Sequence, residues 1–136
     1  MRFPALALGA ALLCAAGVSA GDTGARRLGL AAAPTDAHAA TNPYEGDTEA
    51  VRAGRRLFMR HCAECHGPDA HGTTRAPGLL SLTVKVASPG DVFWFLTNGD
   101  RRAGMPSWSR LPEPRRWQIV AFVKTLDTRA APSPPK

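Results

Sequence analysis

Apolar positions recur with helical spacing in three stretches of this 136-residue chain. In the run AVRAGRRLFMRH, Val51, Gly54, Leu57, Phe58 and His61 fall on one side. Asp47 or Thr48 precedes the run as an N-cap, and Glu49 stands in the first turn, where the helix dipole favours an acid. A second run opens SPGD, with Ser88 as the capping hydroxyl, Pro89 at the first helical position and Asp91 in the first turn. Val92, Phe93, Phe95 and Leu96 follow, and Asn98-Gly99 ends the run. The third starts near Glu113-Pro114 and carries Ile119, Phe122, Val123 and Leu126 at i, i+3, i+4 and i+7. No segment alternates convincingly with the period of a strand, so the pattern predicts an all-α fold of three to five helices.

The ends have a different character. Arg2 supplies a positive n-region, Phe3 to Val18 an apolar stretch, and Val18-Ser19-Ala20 a small-residue cleavage site, so residues 1–20 read as a secretory signal peptide. The stretch is short for a membrane span, which needs about 20 apolar residues. The expectation is an exported chain, placed in the periplasm, with no stable membrane insertion after cleavage. Cys14 leaves with the peptide, and Cys62 and Cys65 are the cysteines that stay. Residues 21–42 read as a flexible leader, 43–128 as the working domain, and 129–136 as a disordered proline-rich tail.

Three helices, roughly 50 residues, build a small core for a domain of this size. The connection from Gly67 to Ala87 is long and poor in periodic signal, and such loops usually wrap something functional. A large apolar cofactor would supply the missing centre.

The segment RHCAECHGPDAHG, Arg60 to Gly72, carries the chemistry. Two thiols three residues apart near a helix end reach the vinyl groups on one porphyrin edge as thioethers, and the next residue, His66, then lies under the ring with a nitrogen aimed at iron. A redox dithiol uses only the cysteines and expects a βαβ pattern. Structural zinc needs four ligands, commonly from a second CxxC or an HxxxH pair, and this sequence has neither. Covalent haem c is therefore the expected cofactor. The candidates for the second axial position are Met59, Met105, His38, His61 and His71. Met105 is favoured: it lies 39 residues beyond His66 in RAGMPSW, where Pro106 prevents local helix. Its bland alternative is a thioether filling a gap in the core.

CAECHG, the later GMP and the aromatic helix after it together resemble a class I (mitochondrial-type) cytochrome c, over about Asn42 to Leu126. The resemblance implies a compact fold around the attached haem. It implies a close crossing of the first and last helices, with Gly54 and Phe58 facing Phe122 and Trp117. It also implies that the carbonyl of Pro77 accepts the N–H of the ligand imidazole. The opening NPYEGDTEAVRAGRRLF is similar to small bacterial cytochromes c that accept electrons from periplasmic quinoprotein dehydrogenases. Pro77-Gly78 and Pro112-x-Pro114 depart from that pattern, and neither touches the haem ligands.

The formal net charge is +6, one unit of it from Arg2. The arginines come as scattered pairs without the interleaved aromatics of a nucleic-acid platform, so nucleic acid is not an expected partner. Arg101, Arg102, Arg110, Arg115 and Arg116 bracket Met105; some are candidates for haem propionates, Arg102 first, and the rest for steering an acidic protein. Trp108 is a candidate propionate donor and equally a candidate core residue. The function expected is a monomeric, non-enzymatic carrier of single electrons between a dehydrogenase donor and an oxidase or another cytochrome. The rivals are a catalytic or gas-binding haem protein with an open axial position, and a cofactor-free thiol oxidoreductase.

Overall fold

The computed structural model describes residues 29–126. Six α-helices lie among them: α1 (Thr35–His38), α2 (Thr48–His61), α3 (Ala63–His66), α4 (Leu82–Val86), α5 (Pro89–Asn98) and α6 (Glu113–Thr125). Single 3-10 turns form at Leu30–Ala32 and Arg101–Ala103. The three periodic runs are α2, α5 and α6. The three short helices raise the total above the expected three to five, and none is long enough to show periodicity.

The Asp47 carboxylate starts α2 by accepting the amide hydrogens of Glu49 and Ala50 at 2.8 and 3.0 Å. Ser88 and Asp91 start α5 reciprocally: the Asp91 amide donates to Ser88 Oγ at 3.1 Å and the Ser88 amide to Asp91 Oδ2 at 2.9 Å. Two amides that helix geometry leaves orphaned are satisfied in each case.

α2 crosses α6 at Gly54. A Cβ there would lie 1.9 Å from the carbonyl oxygen of Gln118, so the approach requires glycine. One turn on, fully buried Phe58 meets Phe122 with ring centroids 5.3 Å apart. Trp117, expected at this crossing, turns to α5, where it stacks on Phe93 at 3.9 Å and an interplanar angle of 12°. Arg116 lies over the same ring at 4.7 Å, and its Nε donates to the Leu111 carbonyl at 3.1 Å. Arg116 is thus engaged in holding α5 to α6. The buried core joins Phe58 with Val84, Leu96, Trp117, Ile119, Val120 and Val123.

The long connection after His66 is less irregular than its sequence suggests. Ser81 caps α4 within it, and the Lys124 ammonium of α6 donates to the carbonyls of Lys85 at 2.6 Å, Ala87 at 2.7 Å and Val84 at 3.3 Å. These are carbonyls that the end of a short helix leaves open. Burial lowers the Lys124 pKa from its ordinary value, and the charge of Asp91 works against that shift.

The leader expectation needs correction from Gly29 onward. Leu30 is only 8% exposed within the core, and α1 docks on the start of α5. Asn42 is buried and donates to the Trp117 carbonyl at 3.0 Å. Residues 1–28 and 127–136, which hold the expected signal peptide and the expected tail, lie outside the described residues. Among the described residues no helix is long and apolar enough to cross a membrane. They contain no strand either, only two isolated bridges, Gly72 with Pro77 and Asp100 with Met105.

Candidate haem site

Each bridge presents one residue to a single cavity. On the first side, α2 ends at Cys62 and α3 carries Cys65 and His66. The loop beyond folds back: the Gly72 amide donates to the His66 carbonyl at 2.8 Å, and the Leu79 amide to Ala70 at 2.8 Å. Ala70, fully buried, takes a positive φ of 62°, a conformation costly for a residue with a Cβ and held here by the surrounding packing. This fold brings the Pro77 carbonyl within 2.8 Å of His66 Nδ1. A carbonyl only accepts, so Nδ1 carries the hydrogen and Nε2 is left with its lone pair free for a metal.

On the other side, the Met105 amide donates to the Asp100 carbonyl at 2.8 Å and the Asp100 amide to Met105 at 2.9 Å. The loop closes against Gly99, whose φ is 70° and where a Cβ would meet Pro106 at 2.6 Å. Met105 is thereby carried back over the cavity.

The cavity is lined by Cys62, Cys65, His66, Pro77, Met105 and Trp108 among others, with Leu30, Leu79, Val84, Phe95 and Ile119 forming apolar wall. Burial pushes the Cys62 thiol up to about 12, with the neighbouring Cys65 adding to the shift. A thiol so disposed is a poor nucleophile, which argues against disulfide exchange. Among the described residues no three of His, Cys, Asp and Glu come together as a metal site, so the zinc reading lacks its ligands.

Trp108 Nε1 is the one buried side-chain nitrogen or oxygen among the described residues without a hydrogen-bond partner. An unpaired buried donor costs free energy, about 1–3 kcal/mol. Its ring rests on His61 at 5.2 Å and lines the cavity, so an acceptor within the cavity would relieve it. Two thiols, an imidazole with a free nitrogen, a thioether and an orphaned donor around an apolar hollow fit haem c.

Arg102 is placed differently from the expectation. It is exposed, its amide donates to the Asp100 carboxylate at 3.1 Å, and it does not line the cavity. Asp100 holds that 3-10 turn as its N-cap, and the arginine side chain stays outside. Arg75 reaches the cavity instead, paired with Glu64 of the CAECH segment. Its place is set by Thr73, which donates to the Cys65 carbonyl at 2.6 Å and accepts from the Arg75 amide at 3.0 Å. No spacing in the sequence announces Arg75, because a loop fold brings it to the mouth. Of the other axial candidates, His61 lines the cavity on the Trp108 ring. Met59 and His71 are exposed, and His38 is bonded to Asp91.

Fold and site define a c-type cytochrome domain carrying covalently attached haem c. The family model described as cytochrome c oxidase, cbb3-type, subunit III matches residues 49–123, over half of the chain, and the chain belongs to that family. It is 42% identical over 77 residues to the cbb3-type cytochrome c oxidase subunit CcoP of Rubrivivax gelatinosus, covering 54% of this chain and 25% of that protein. To the subunit FixPc of Rhizobium leguminosarum bv. viciae it is 30% identical over 83 residues, covering 59% and 29%. The chain thus spans about a quarter of the length of the curated relatives it matches. Among solved structures, cytochrome cL of Methylophaga aminisulfidivorans MPT superposes with a TM-score of 0.57 at 28% identity, over 85% of this chain and 74% of that one. Small bacterial class I cytochromes c are the structural relatives, as the sequence resemblance implied.

Proposed function

We propose that this chain is an exported, periplasmic one-electron carrier in which His66 and Met105 are the two axial ligands of the haem. The observation that carries the reading is the convergence of Cys62, Cys65 and His66, from the end of α2 and from α3, with Met105, from the loop bridged to Asp100, on one cavity. Bound haem supplies a ferric/ferrous couple, which a thioether ligand biases toward the ferrous side. The Pro77 carbonyl fixes the tautomer and orientation of His66. The Asp100–Met105 bridge holds the thioether in place, and the apolar wall keeps water away. His66 and Met105 would hold the iron between them and would leave no position for substrate or gas.

Cys62 and Cys65 would hold the group covalently, and Trp108 Nε1, which lacks a partner, would donate a hydrogen bond to one of its propionates. The donor is a quinoprotein dehydrogenase and the acceptor a terminal oxidase. The family of oxidase subunits supports the oxidase, and the opening NPYEGDTEAVRAGRRLF, with its resemblance to cytochromes served by quinoprotein dehydrogenases, supports the donor. Exposed Arg101, Arg102, Arg110 and Arg115 near the Met105 loop favour an acidic protein surface as the contact.

The test is the absorption of the reduced protein with and without carbon monoxide. Parent protein is expected not to respond, whereas Met105→Ala binds carbon monoxide and has a lower reduction potential. A parent that binds the gas at once has an open position, and the carrier mechanism fails. Mixing with a reduced quinoprotein dehydrogenase tests the donor: rapid haem reduction is expected.

A further inference from the structure

The segment ahead of the family match has its own part in the site. Residues before 49 fall outside that match, yet Leu30 lines the haem cavity and is only 8% exposed, while its neighbours Ala31 and Ala32 are exposed. We infer that Gly29–Ala40 is an arm of the haem-binding site, closing one wall of the cavity through Leu30 and Phe95.

Three contacts hold the arm to α5. Gly29 sits on the ring of Phe95, another cavity residue, so closely that a Cβ would fall 2.5 Å from Phe95 Cε2. Gly90 faces the carbonyl oxygen of Ala37, where a Cβ would lie at 1.8 Å. His38 Nδ1 lies 3.0 and 3.1 Å from the two carboxylate oxygens of Asp91. α1 has four residues and buries none of them, far below the length at which a helix sustains itself. Its docking therefore comes from these contacts and from Leu30. The arm supplies one wall residue and backs a second, so its release admits water to the haem on that side. Solvent favours the more highly charged ferric state, which lowers the reduction potential.

The inference rests on haem occupying the cavity and is independent of which partners exchange electrons. Three variants of the full-length haem-loaded protein test it, read by limited subtilisin cleavage between Leu30 and Ala40 and by reduction potential. Gly90→Ala places a methyl group against the Ala37 carbonyl on the far side of α5 from the haem. It is expected to speed cleavage at least about fivefold, the effect of an overpacking cost near the low end of its range, and to lower the potential. His38→Ala cuts only the Asp91 contact and moves both readouts in the same direction by less, because that histidine is largely exposed. Leu30→Ala removes a docking contact and the wall residue together, and is expected to speed cleavage and lower the potential. Should Gly90→Ala fail to fold, His38→Ala and Leu30→Ala carry the test. The inference is overturned if arm cleavage rises while spectrum and potential keep their parent values, or if neither His38→Ala nor Gly90→Ala speeds cleavage. Carbon monoxide binding by the parent would overturn the axial-ligand reading alone, since the effect of the arm on potential would still be measurable.

Discussion

At the scale of single residues, Trp108 separates packing from chemistry. Its ring packs on His61, whereas its N–H has no acceptor among the described residues. Trp108→Phe keeps most of the ring and removes the donor. The haem-free chain is expected to keep or gain stability, because an unsatisfied buried group disappears. The haem-loaded protein is expected to lose about 1.5–3 kcal/mol, the range for a hydrogen bond to a charged group. Chemical denaturation of both forms checks this, and equal losses in the two would assign Trp108 to packing alone. Asp91 is the second informative residue. Burial by itself would raise its carboxyl pKa, but hydrogen bonds from Ser88 and His38 outweigh that and bring it below the ordinary 3.8. A lowered carboxyl contributes stability that is complete above about pH 4 and is lost as the pH falls through its folded value. His38 on α1 and Lys124 on α6 are the cationic groups facing it. Relative to Asp91→Asn, the parent is therefore expected to lose stability on acidification below about pH 4, measured as the pH dependence of the melting temperature.

At the scale of elements, the α2–α6 crossing and the α6–α4 contact depend on different physics. Gly54→Ala forces a methyl group into the Gln118 backbone, which cannot move without displacing α6. A cost of about 1–3 kcal/mol or more is expected, seen as a lowered melting temperature. Lys124→Met removes the ammonium from three carbonyls at the end of α4 but leaves the stem packed. About 1–2 kcal/mol is expected, with hydrogen exchange rising in Leu82–Val86 before the rest of the chain. Helices α2, α5 and α6, with the caps of α2 and α5, were legible because amphipathic periodicity and Asp, Ser and Pro signals are local. α4 was not legible: five residues make barely more than one turn, and the lysine that holds it stands 39 positions away in sequence. The family resemblance put Trp117 at the α2–α6 crossing, and its ring stacks on Phe93 of α5 instead. Which neighbour a residue meets depends on how the helices pack, which local sequence leaves open.

At the scale of the whole molecule, charge bears on encounter with partners. The formal charge of +6 includes exposed arginines close to the Met105 loop. With an acidic donor, the rate of electron exchange is expected to fall as ionic strength rises from about 0.01 to 0.15 M, because the Debye length shrinks from roughly 30 to 8 Å. Stopped-flow reduction across that salt range measures it, and a flat profile would remove electrostatic steering from the account. Arg116 takes no part in steering, since it is held on Phe93 and the Leu111 carbonyl.

The sequence by itself determined the covalent chemistry and the three long helices, because CAECH places its thiols and imidazole within one helical turn and because helix caps are read from adjacent residues. It also singled out Met105 and Pro77 as residues to watch, 39 and 11 positions beyond His66. Only the tertiary structure decided that both loops close on the same cavity, that Arg75 and not Arg102 reaches its mouth, and that Gly29 to Asn42 packs onto α5 and α6. Each of these rests on contacts between residues far apart in the chain. Such contacts depend on backbone approach distances and loop paths, which no local pattern of residue types encodes.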